Sequence, residues 1–574
     1  MDFSSNRVLL GLLPYWTPLV PPTGIAALKA FLEKHGFSVR TVDANGEESF
    51  KNLYHKYYNM LRDIVPEDNR GNFYNVGHHV LQNHMMAHIH FHYQNHDKNT
   101  QDYIQLVRDL VYYTYFSRAA DGQVMALDRI VAGIYLALEK YLLSLVEKEK
   151  PGTIGFTVYF HTLASSVFAY RLIKERYPFI QTVMGGGIFS DQFALGSPDY
   201  EFFLEKTKDY IDKIIIGEGL ILFLQLLRGE LPDSQRVFSL KAMGTNPLDF
   251  SLVDLPDLAD YNLTHYPYIA ATGSTSCPNE CSFCTGTVFA GKFREKDPAL
   301  TVKEMTQLYR TYKKRLFFMT DSLLNPIITN LSHELIKNKK INDISLYFDG
   351  YFRVDDAACL IENTLLWRKA GFYRARLGIE SGSQHVLDMI GKTITIEQTK
   401  AVLAALAYAG IKTTAYIVIG HPGETEDDFK QTLDFVEEFK DDIYEVECNP
   451  FAYYFTGQPH SLRWKDKQTL LYPEHYRDFL ISHTWIVDDQ PCREEIYQRL
   501  FRITGHCNRL GIPNPYSMKD IYNADERWQR LHQHAVPRMV DLISPQKQTT
   551  PPDETDKEVI LAQQVELEDV EFEF

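Results

Sequence analysis

Short apolar runs alternate with helix-like segments along most of the chain. Buried strands that alternate with helices are typical of a doubly wound parallel sheet, whose ligand lies beyond the carboxyl ends of the strands. In the first part of the chain this pattern predicts strands at 7–13, 38–42, 153–159, 182–184 and 213–216, with helices at 24–35 and 164–177. Residues 46–150 interrupt the array. They have helical periodicity, clearest over 125–145, so we expect a helical insertion in the sheet domain.

A second alternating array follows a connection rich in Pro and Asp. Its predicted strands are 268–272, 316–320, 344–349, 375–379, 413–419 and 443–448, and its helices include 302–314, 357–369, 396–409 and 426–439. Six strand–helix units predict a partial (β/α)6 barrel of the TIM type, with the active site at the carboxyl ends of the strands. An open doubly wound sheet is the alternative, because periodicity does not separate the two.

These patterns divide the 574 residues into several domains. We expect a Rossmann-like domain at 1–235 with its insertion at 46–150, a linker at 236–262, a barrel at 263–455, a helical C-terminal cap at 456–544 and an acidic tail at 545–574. The tail alternates acidic and apolar residues. That composition is typical of disorder, and its period of two also suits pairing with the edge of a sheet.

The composition is that of a globular enzyme, with 45% hydrophobic and 23% charged residues. The net charge of −16 argues against a general nucleic-acid-binding protein, which needs clustered Lys and Arg. No apolar run near the N-terminus is long enough for a signal core, and the strongest helix carries charges. We therefore expect a cytoplasmic protein with no membrane and no nucleic-acid partner.

Cys277, Cys281 and Cys284 form a C-x3-C-x2-C motif directly after a predicted strand. With seven Cys in the chain, chance would produce this spacing only about 0.001 times. Three thiolates can hold a cubane iron–sulfur cluster and leave one iron free to bind a small molecule. A structural zinc site would need a fourth ligand, and disulfides do not suit a reducing compartment.

A row of histidines four residues apart is the most unusual feature of the insertion. His84, His88, His92 and His96 recur at helical spacing, with His78, His79 and His90 nearby. Such histidines lie on one helix face and could share a metal, but the row lacks the glutamate of an HExxH motif. The alternatives are a partly buried polar helix and a surface facing substrate.

Two glycine-bearing loops end strands of the barrel. Gly378 to Ser383 reads Gly-Ile-Glu-Ser-Gly-Ser, and Gly420 to Thr425 reads Gly-His-Pro-Gly-Glu-Thr. A Gly beside Glu380 suits a site where the backbone approaches a ligand and a carboxylate accepts its hydrogen bonds. Ser383 as a helix cap and a Thr425–Asp428 capping box are the structural alternatives. Asp321 and Arg353 follow neighbouring strands and could face the ligand or form ion pairs.

With these loops, the cysteine motif resembles the radical S-adenosylmethionine (SAM) superfamily. The order of Pro21-Pro22-Thr23-Gly24, Gly185-Gly186-Gly187, Gly217-Glu218-Gly219, the cysteines and the two barrel loops resembles its subgroup with an N-terminal cobalamin-binding domain. The chain lacks the Asp-x-His-x-x-Gly motif that supplies a lower cobalt ligand in some other cobalamin proteins. Its long helical insertion is a second departure from the subgroup.

The resemblance implies roles for particular residues. Cys277, Cys281 and Cys284 would bind a 4Fe-4S cluster, and Asp321 and Arg353 would be catalytic. Phe283, Gly378, Glu380, Ser381 and Gly420 would bind SAM. Pro22, Gly24, Gly185, Gly186, Gly187, Gly217, Glu218 and Gly219 would bind cobalamin.

The implied reaction is reductive cleavage of SAM to a 5'-deoxyadenosyl radical, followed by cobalamin-dependent methylation of an unactivated carbon in a peptide or other natural product. An external electron donor such as flavodoxin or ferredoxin is implied. The alternatives are a cobalamin-free radical reaction, such as epimerisation, cyclisation or rearrangement, and a non-catalytic protein that only binds a cluster.

Overall fold

The computed structural model describes residues 3–94, 100–249, 253–286, 291–514 and 518–543. His96 and the tail predicted at 545–574 lie outside these residues. Two compact units emerge, and they interleave along the chain. The first contains the described residues of Met1–His265, Phe283–Ala290 and Ala452–Asp488, and the second contains the described residues of Tyr266–Ser282, Gly291–Phe451 and Asp489–Phe574. The contiguous domain boundaries drawn from the sequence remain a prediction.

The first unit contains a six-stranded parallel sheet in the order β2-β1-β3-β4-β5-β6. Its strands are β1 (Ser4–Leu12), β2 (Ser38–Asp43), β3 (Pro151–Thr157), β4 (Gln181–Gly185), β5 (Lys213–Ile216) and β6 (Val237–Ser239). Residues 8–10 of β1 and 214–216 of β5 are apolar runs, because helices cover a parallel sheet on both faces. Val8, Leu10 and Ile215 pack against helix residues such as Ile25 and Leu222 on one of these faces.

The predicted doubly wound sheet is confirmed, with one difference. The first residues of the predicted linker form β6, which pairs with β5 and buries Phe238 completely. A run of three residues is too short to show periodicity, so the strand is visible only in the fold. The helices around this sheet are α1 (Thr23–Lys34), α6 (Leu163–Arg176), α7 (Pro198–Lys206), α8 (Leu220–Leu227) and α9 (Leu240–Met243).

Four helices make up the insertion, as its periodicity predicted: α2 (Glu48–Ile64), α3 (Phe73–Ile89), α4 (Thr100–Tyr115) and α5 (Asp121–Glu149). A π-helical turn, His90–Gln94, extends α3. The apolar stripe predicted on α5 is buried at Leu127, Ile134 and Leu138. Nearly all of α3 is buried, its histidines 78, 84 and 88 included.

In the second unit, six parallel strands lie in the order β14-β13-β12-β11-β10-β7. They are β7 (Ile269–Ala271), β10 (Leu316–Met319), β11 (Tyr347–Arg353), β12 (Phe372–Glu380), β13 (Lys412–Ile419) and β14 (Glu445–Pro450). A two-stranded ladder, β8 (Ser274–Thr275) and β9 (Arg294–Glu295), flanks the cysteine loop. Each of the first five barrel strands pairs with the barrel strand that follows it along the chain, as a partial barrel requires, so the predicted (β/α)6 arrangement is confirmed.

Helices follow the barrel strands and continue to the end of the described chain. They are α10 (Pro298–Tyr312), α11 (Asn325–Asn342), α12 (Ile361–Ala370), α13 (Gln384–Ile390), α14 (Ile396–Tyr408), α15 (Glu426–Glu438), α17 (Arg493–Arg509), α18 (Met518–Leu531) and α19 (Met539–Ile543). Residues 452–488 differ from the predicted helical cap. They hold the short helix α16 (Arg477–Leu480) and an antiparallel pair, β15 (Gln468–Leu470) and β16 (Trp485–Val487).

Across the residues that the structure describes, no helix has both the length and the apolar character that a membrane crossing needs.

Candidate active site

Asp321 fixes the start of the cysteine loop. Its side chain is fully buried and accepts hydrogen bonds from the Gly273 N–H at 3.1 Å and the Ser274 hydroxyl at 2.6 Å. Burial raises the pKa of Asp321 to about 6. Both carboxylate oxygens accept hydrogen bonds within the fold, so Asp321 positions the start of the loop, and the catalytic role predicted for it from sequence remains a prediction.

Each cysteine of the motif accepts an N–H donor at its sulfur. In the second unit, the Asn279 amide lies 3.5 Å from Cys277 Sγ, and a guanidinium nitrogen of Arg353 lies 3.6 Å from Cys281 Sγ. In the first unit, the Gly286 N–H lies 3.4 Å from Cys284 Sγ. All three thiols are free of disulfides, and hydrogen bonds to sulfur are one of the features by which proteins tune an iron–sulfur cluster. The donor set therefore fits an iron–sulfur cluster.

The His-Pro-Gly-Glu-Thr turn holds the same loop from another strand end. His421 Nε2 lies 2.9 Å from the Ser282 hydroxyl, and His421 Nδ1 lies 3.0 Å from the Pro422 carbonyl. Since a carbonyl only accepts, Nδ1 carries the proton and Nε2 accepts from Ser282. The Ser282 N–H also donates to the Ile390 carbonyl at 2.9 Å. This turn thus positions the cysteine loop from β13.

Glu424 of that turn is held by the barrel unit itself. It accepts from the Gly420 N–H at 2.9 Å and pairs with Arg499 at 2.9 Å. Burial raises the pKa of Glu424 to about 7 even though Arg499 acts in the opposite direction. Gly420 has a φ of 80°, so the left-handed turn favours glycine. The Gly420 N–H already donates to Glu424, and the SAM contact predicted for Gly420 remains a prediction.

Glu380 lies at the end of β12 in the left-handed region, with a φ of 65°. It is buried and forms an ion pair with buried Lys392. A Cβ added at Gly378 would lie 2.4 Å from Glu380 Oε1, so a larger residue there would require the Glu380 side chain to shift. The predicted SAM-binding residue Ser381 contacts the Thr432 hydroxyl at 3.0 Å. Glu380 therefore has a cationic partner of its own, and the loop is tied to the neighbouring helix through Ser381 and Thr432.

Four further side chains lie on neighbouring barrel strands, and the motifs did not identify them. Arg376 donates to Asp349 at 3.1 Å and to the Tyr416 hydroxyl at 3.3 Å. Burial raises the pKa of Glu447 to about 6, against hydrogen bonds from Tyr416 and Asn449 that act to lower it. Tyr351 is 40% exposed, and its ring centroid lies 5.9 Å from that of Tyr416.

These residues share a sequence signal that could have found them. Polar or aromatic side chains stand two positions apart in strands that are otherwise apolar, as in Arg374-x-Arg376 and Glu445-x-Glu447. In a strand, alternate residues point to one face, which in a barrel is the interior. Among the described residues, no cationic side chain forms an ion pair with Glu447. The arrangement offers a carboxylate and two phenols to a ligand.

At the carboxyl edge of the first unit's sheet, the chain passes from β1 to β2 on one side and from β3 to β4 on the other side. Trp16 follows β1 and Tyr159 follows β3, and their rings stack at 4.3 Å. This is the switch point of the strand order, where doubly wound sheets bind their ligands. His161 beside it is half-buried, and desolvation lowers its pKa well below the usual value, so it is neutral.

The glycines predicted at this edge differ in what surrounds them. Gly186 has a φ of 109°, and a Cβ there would lie 2.4 Å from the Val158 backbone nitrogen, so the fold itself requires glycine. At Gly24 and Gly217 a Cβ would meet no atom within 4 Å, and at Gly219 it would meet only Ile215 at 3.6 Å. Gly185 and Gly187 lie against Ile215 and Tyr159, Pro22 precedes α1, and Glu218 is exposed.

The Phe283 backbone carbonyl accepts a hydrogen bond from the Gln458 side-chain amide at 3.0 Å within the first unit. The structure thus brings Arg353 to a motif cysteine and Asp321 to the start of the loop. For Phe283, Gly378, Glu380, Ser381 and Gly420, SAM binding remains a prediction.

The second unit is a parallel barrel sheet, and the cysteine motif follows its first strand. Comparison with known families gives the class. The profile of the Radical SAM superfamily matches residues 272–436, so this segment is a radical SAM domain. Radical SAM enzymes bind a 4Fe-4S cluster and SAM. The predicted family resemblance and α/β fold are therefore confirmed.

Curated relatives match part of the chain. The anaerobic magnesium-protoporphyrin IX monomethyl ester cyclase of Rubrivivax gelatinosus is 27% identical over 322 residues, which are 51% of this chain and 55% of the relative. The tRNA-2-methylthio-N(6)-dimethylallyladenosine synthase of Chloroflexus aurantiacus is 27% identical over 210 residues, 34% and 44% of the two chains. The chain thus spans about half the length of these relatives.

One solved structure extends the similarity in fold to nearly the whole chain. The radical SAM methyltransferase TsrM from Kitasatospora setae, with tryptophan substrate and a SAM analog bound, is similar with a TM-score of 0.59 and 14% identity. The match covers 98% of this chain and 99% of TsrM.

Proposed function

We propose that this protein is a radical SAM methyltransferase that uses cobalamin to methylate an unactivated carbon of a peptide or other natural product. The observation that carries the proposal is the pairing of a radical SAM domain with a doubly wound sheet whose carboxyl edge has open glycine positions. A second structure of TsrM, with cobalamin and a 4Fe-4S cluster bound, has a similar fold with a TM-score of 0.56.

In this proposal the chain's own residues bind and orient the reactants. The three cysteines hold the cluster, and the Arg353 guanidinium directs positive charge at the Cys281 sulfur. Glu380 and Gly378 bind SAM at the end of β12. When bound, the cluster supplies the electron for SAM cleavage and cobalamin supplies methyl transfer. Glu447, Tyr351 and Tyr416 anchor a polar group of the substrate, since their carboxylate and phenols have hydrogen-bonding capacity for it.

At the first unit's sheet edge, stacked Trp16 and Tyr159 offer a flat apolar surface, and Gly24, Gly217 and Gly219 leave backbone accessible to a large planar ligand. Gly185, Gly186 and Gly187 shape the turn after β4. We assign cobalamin binding to this edge. An external donor such as flavodoxin or ferredoxin would supply electrons, and a cytoplasmic location accords with free thiols.

Radical cyclisation without cobalamin is the second candidate, because the first-named relative is a cyclase. Corrinoid uptake separates the candidates. Full-length protein produced anaerobically with cobalamin should purify with corrin absorbance at about one equivalent per chain. Protein that takes up no corrinoid under these conditions contradicts the methyltransferase proposal and supports the cobalamin-free reaction. If the reduced protein forms no 5'-deoxyadenosine when SAM is added, the result instead supports a non-catalytic protein that only binds a cluster.

A further inference from the structure

The Asp128 carboxylate on α5 contacts two histidines of the histidine row, in a part of the chain remote in sequence from the cysteine motif. His88 Nδ1 lies 2.6 Å from Asp128 Oδ1, and His92 Nε2 lies 3.3 Å from Asp128 Oδ2. The three potential ligand atoms lie within 4.8 Å of one another. We propose that His88, His92 and Asp128 form a binding site for a divalent transition-metal ion such as Zn²⁺.

The residue types and their spacing suit such an ion. Two imidazoles and one carboxylate are the protein ligands of many three-ligand zinc and iron sites, in which water or substrate occupies the remaining position. Histidines four apart project from the same helix face, and the π-helical turn His90–Gln94 includes the second of them. Single π-helical turns occur frequently at functional sites.

Burial and access are distributed as a metal site requires. The side chains of His88 and Asp128 are 3% and 8% exposed, whereas that of His92 is 35% exposed. A buried carboxylate is costly without a compensating cation. The ring centroids of His88 and His92 lie only 4.1 Å apart, so two imidazolium ions here would repel each other. One divalent ion satisfies all three groups, and the exposed His92 side gives it a route from solvent.

A chain of hydrogen bonds orients the carboxylate. The Tyr57 hydroxyl lies 2.9 Å from His84 Nδ1, His84 Nε2 lies 3.1 Å from the Tyr103 hydroxyl, and Tyr103 donates to Asp128 Oδ1. These contacts fix the orientation of the Asp128 carboxylate beside the two histidines. Partners that orient ligands in this way accompany most metal sites.

The competing interpretation is a metal-free network of buried hydrogen bonds, and zinc analysis separates the two. Full-length protein is reconstituted with its cluster so that the motif cysteines are occupied, incubated with Zn²⁺, passed over a chelating resin and analysed for zinc. His92→Ala removes the exposed ligand with little effect on folding, and Asp128→Asn keeps the carboxylate's shape. His79→Ala, an exposed histidine of the same helix outside the cluster, is the matched control.

We expect one zinc ion per chain in the wild type and in His79→Ala, and an affinity loss of more than about tenfold in His92→Ala and Asp128→Asn. Zn²⁺ should raise the melting temperature of the wild type and not that of His92→Ala. A wild type that retains no zinc, or a His92→Ala variant that retains as much as the wild type, overturns the metal site. The same stoichiometry in a Cys277→Ala background excludes zinc held by the motif thiols.

Discussion

The Glu380–Lys392 pair allows the SAM-binding role of Glu380 to be separated from its role in the fold. Both side chains are 6% exposed and they pair directly. Glu380→Gln leaves the Lys392 ammonium buried without its counter-charge, and Lys392→Met does the same to the carboxylate. Breaking a buried pair costs about 3 to 5 kcal/mol, whereas replacing both partners is often nearly neutral. We therefore expect two destabilised single variants and a double variant close to the wild type in chemical denaturation.

The same single and double variants also test whether Glu380 contacts SAM. If Glu380 accepts a charge-assisted hydrogen bond from SAM, its loss costs about 1.5 to 3 kcal/mol, which is roughly a ten- to a hundredfold rise in Kd. That loss should persist in the stable double variant when SAM binding is measured anaerobically by equilibrium dialysis. A double variant that binds SAM like the wild type would refute the SAM contact, and stable single variants would refute the ion-pair reasoning.

Three further outcomes are expected. Gly219→Phe should remove corrin absorbance without lowering iron content, and Gly219→Ala should keep both, because its Cβ meets only Ile215 at an ordinary 3.6 Å; equal corrin in both variants would contradict the assigned edge. Glu447→Gln should raise the free energy of unfolding by up to about 2 kcal/mol at about pH 8 and leave it unchanged at about pH 4, because the pKa of Glu447 is about 6 in the folded state and 4.5 in the unfolded chain, so that ionisation costs stability as the pH rises through this range. Equal differences between the denaturation midpoints of variant and wild type at both pH values would count against it. Arg353→Leu should keep the iron but lower the cluster's reduction potential relative to Arg353→Lys, because the cation beside Cys281 is lost, and an unchanged potential in redox titration would refute this contact.

The strand–helix order could be predicted from the sequence because parallel strands buried on both faces are long apolar runs. Lys213–Ile216 was predicted to the residue, while three-residue β6 carried too little pattern to be recognised. Residues 452–488 could not be placed, since their association with the first unit depends on long-range contacts such as that of Asp199 with His483 at 2.8 Å.

Local spacing also identified the cysteine loop, but not what each partner does. The bonds from Gly273 and Ser274 to Asp321 join segments about 47 residues apart, and no short motif encodes them. Asp128 was likewise invisible beside the histidine row, because it comes from another helix 36 residues beyond His92. Motifs report chemistry within one loop, whereas partners from distant elements emerge only when the chain is folded.

SAM cleavage by cysteine variants tests the central claim most directly. Cys277→Ala, Cys281→Ala and Cys284→Ala are each reconstituted anaerobically, reduced and assayed for 5'-deoxyadenosine, with Cys359→Ala as the control outside the motif. We expect cleavage in the wild type and in Cys359→Ala and none in the three motif variants, because three thiolates are needed to hold the cluster. Cleavage retained in any motif variant whose fold is intact would contradict the account.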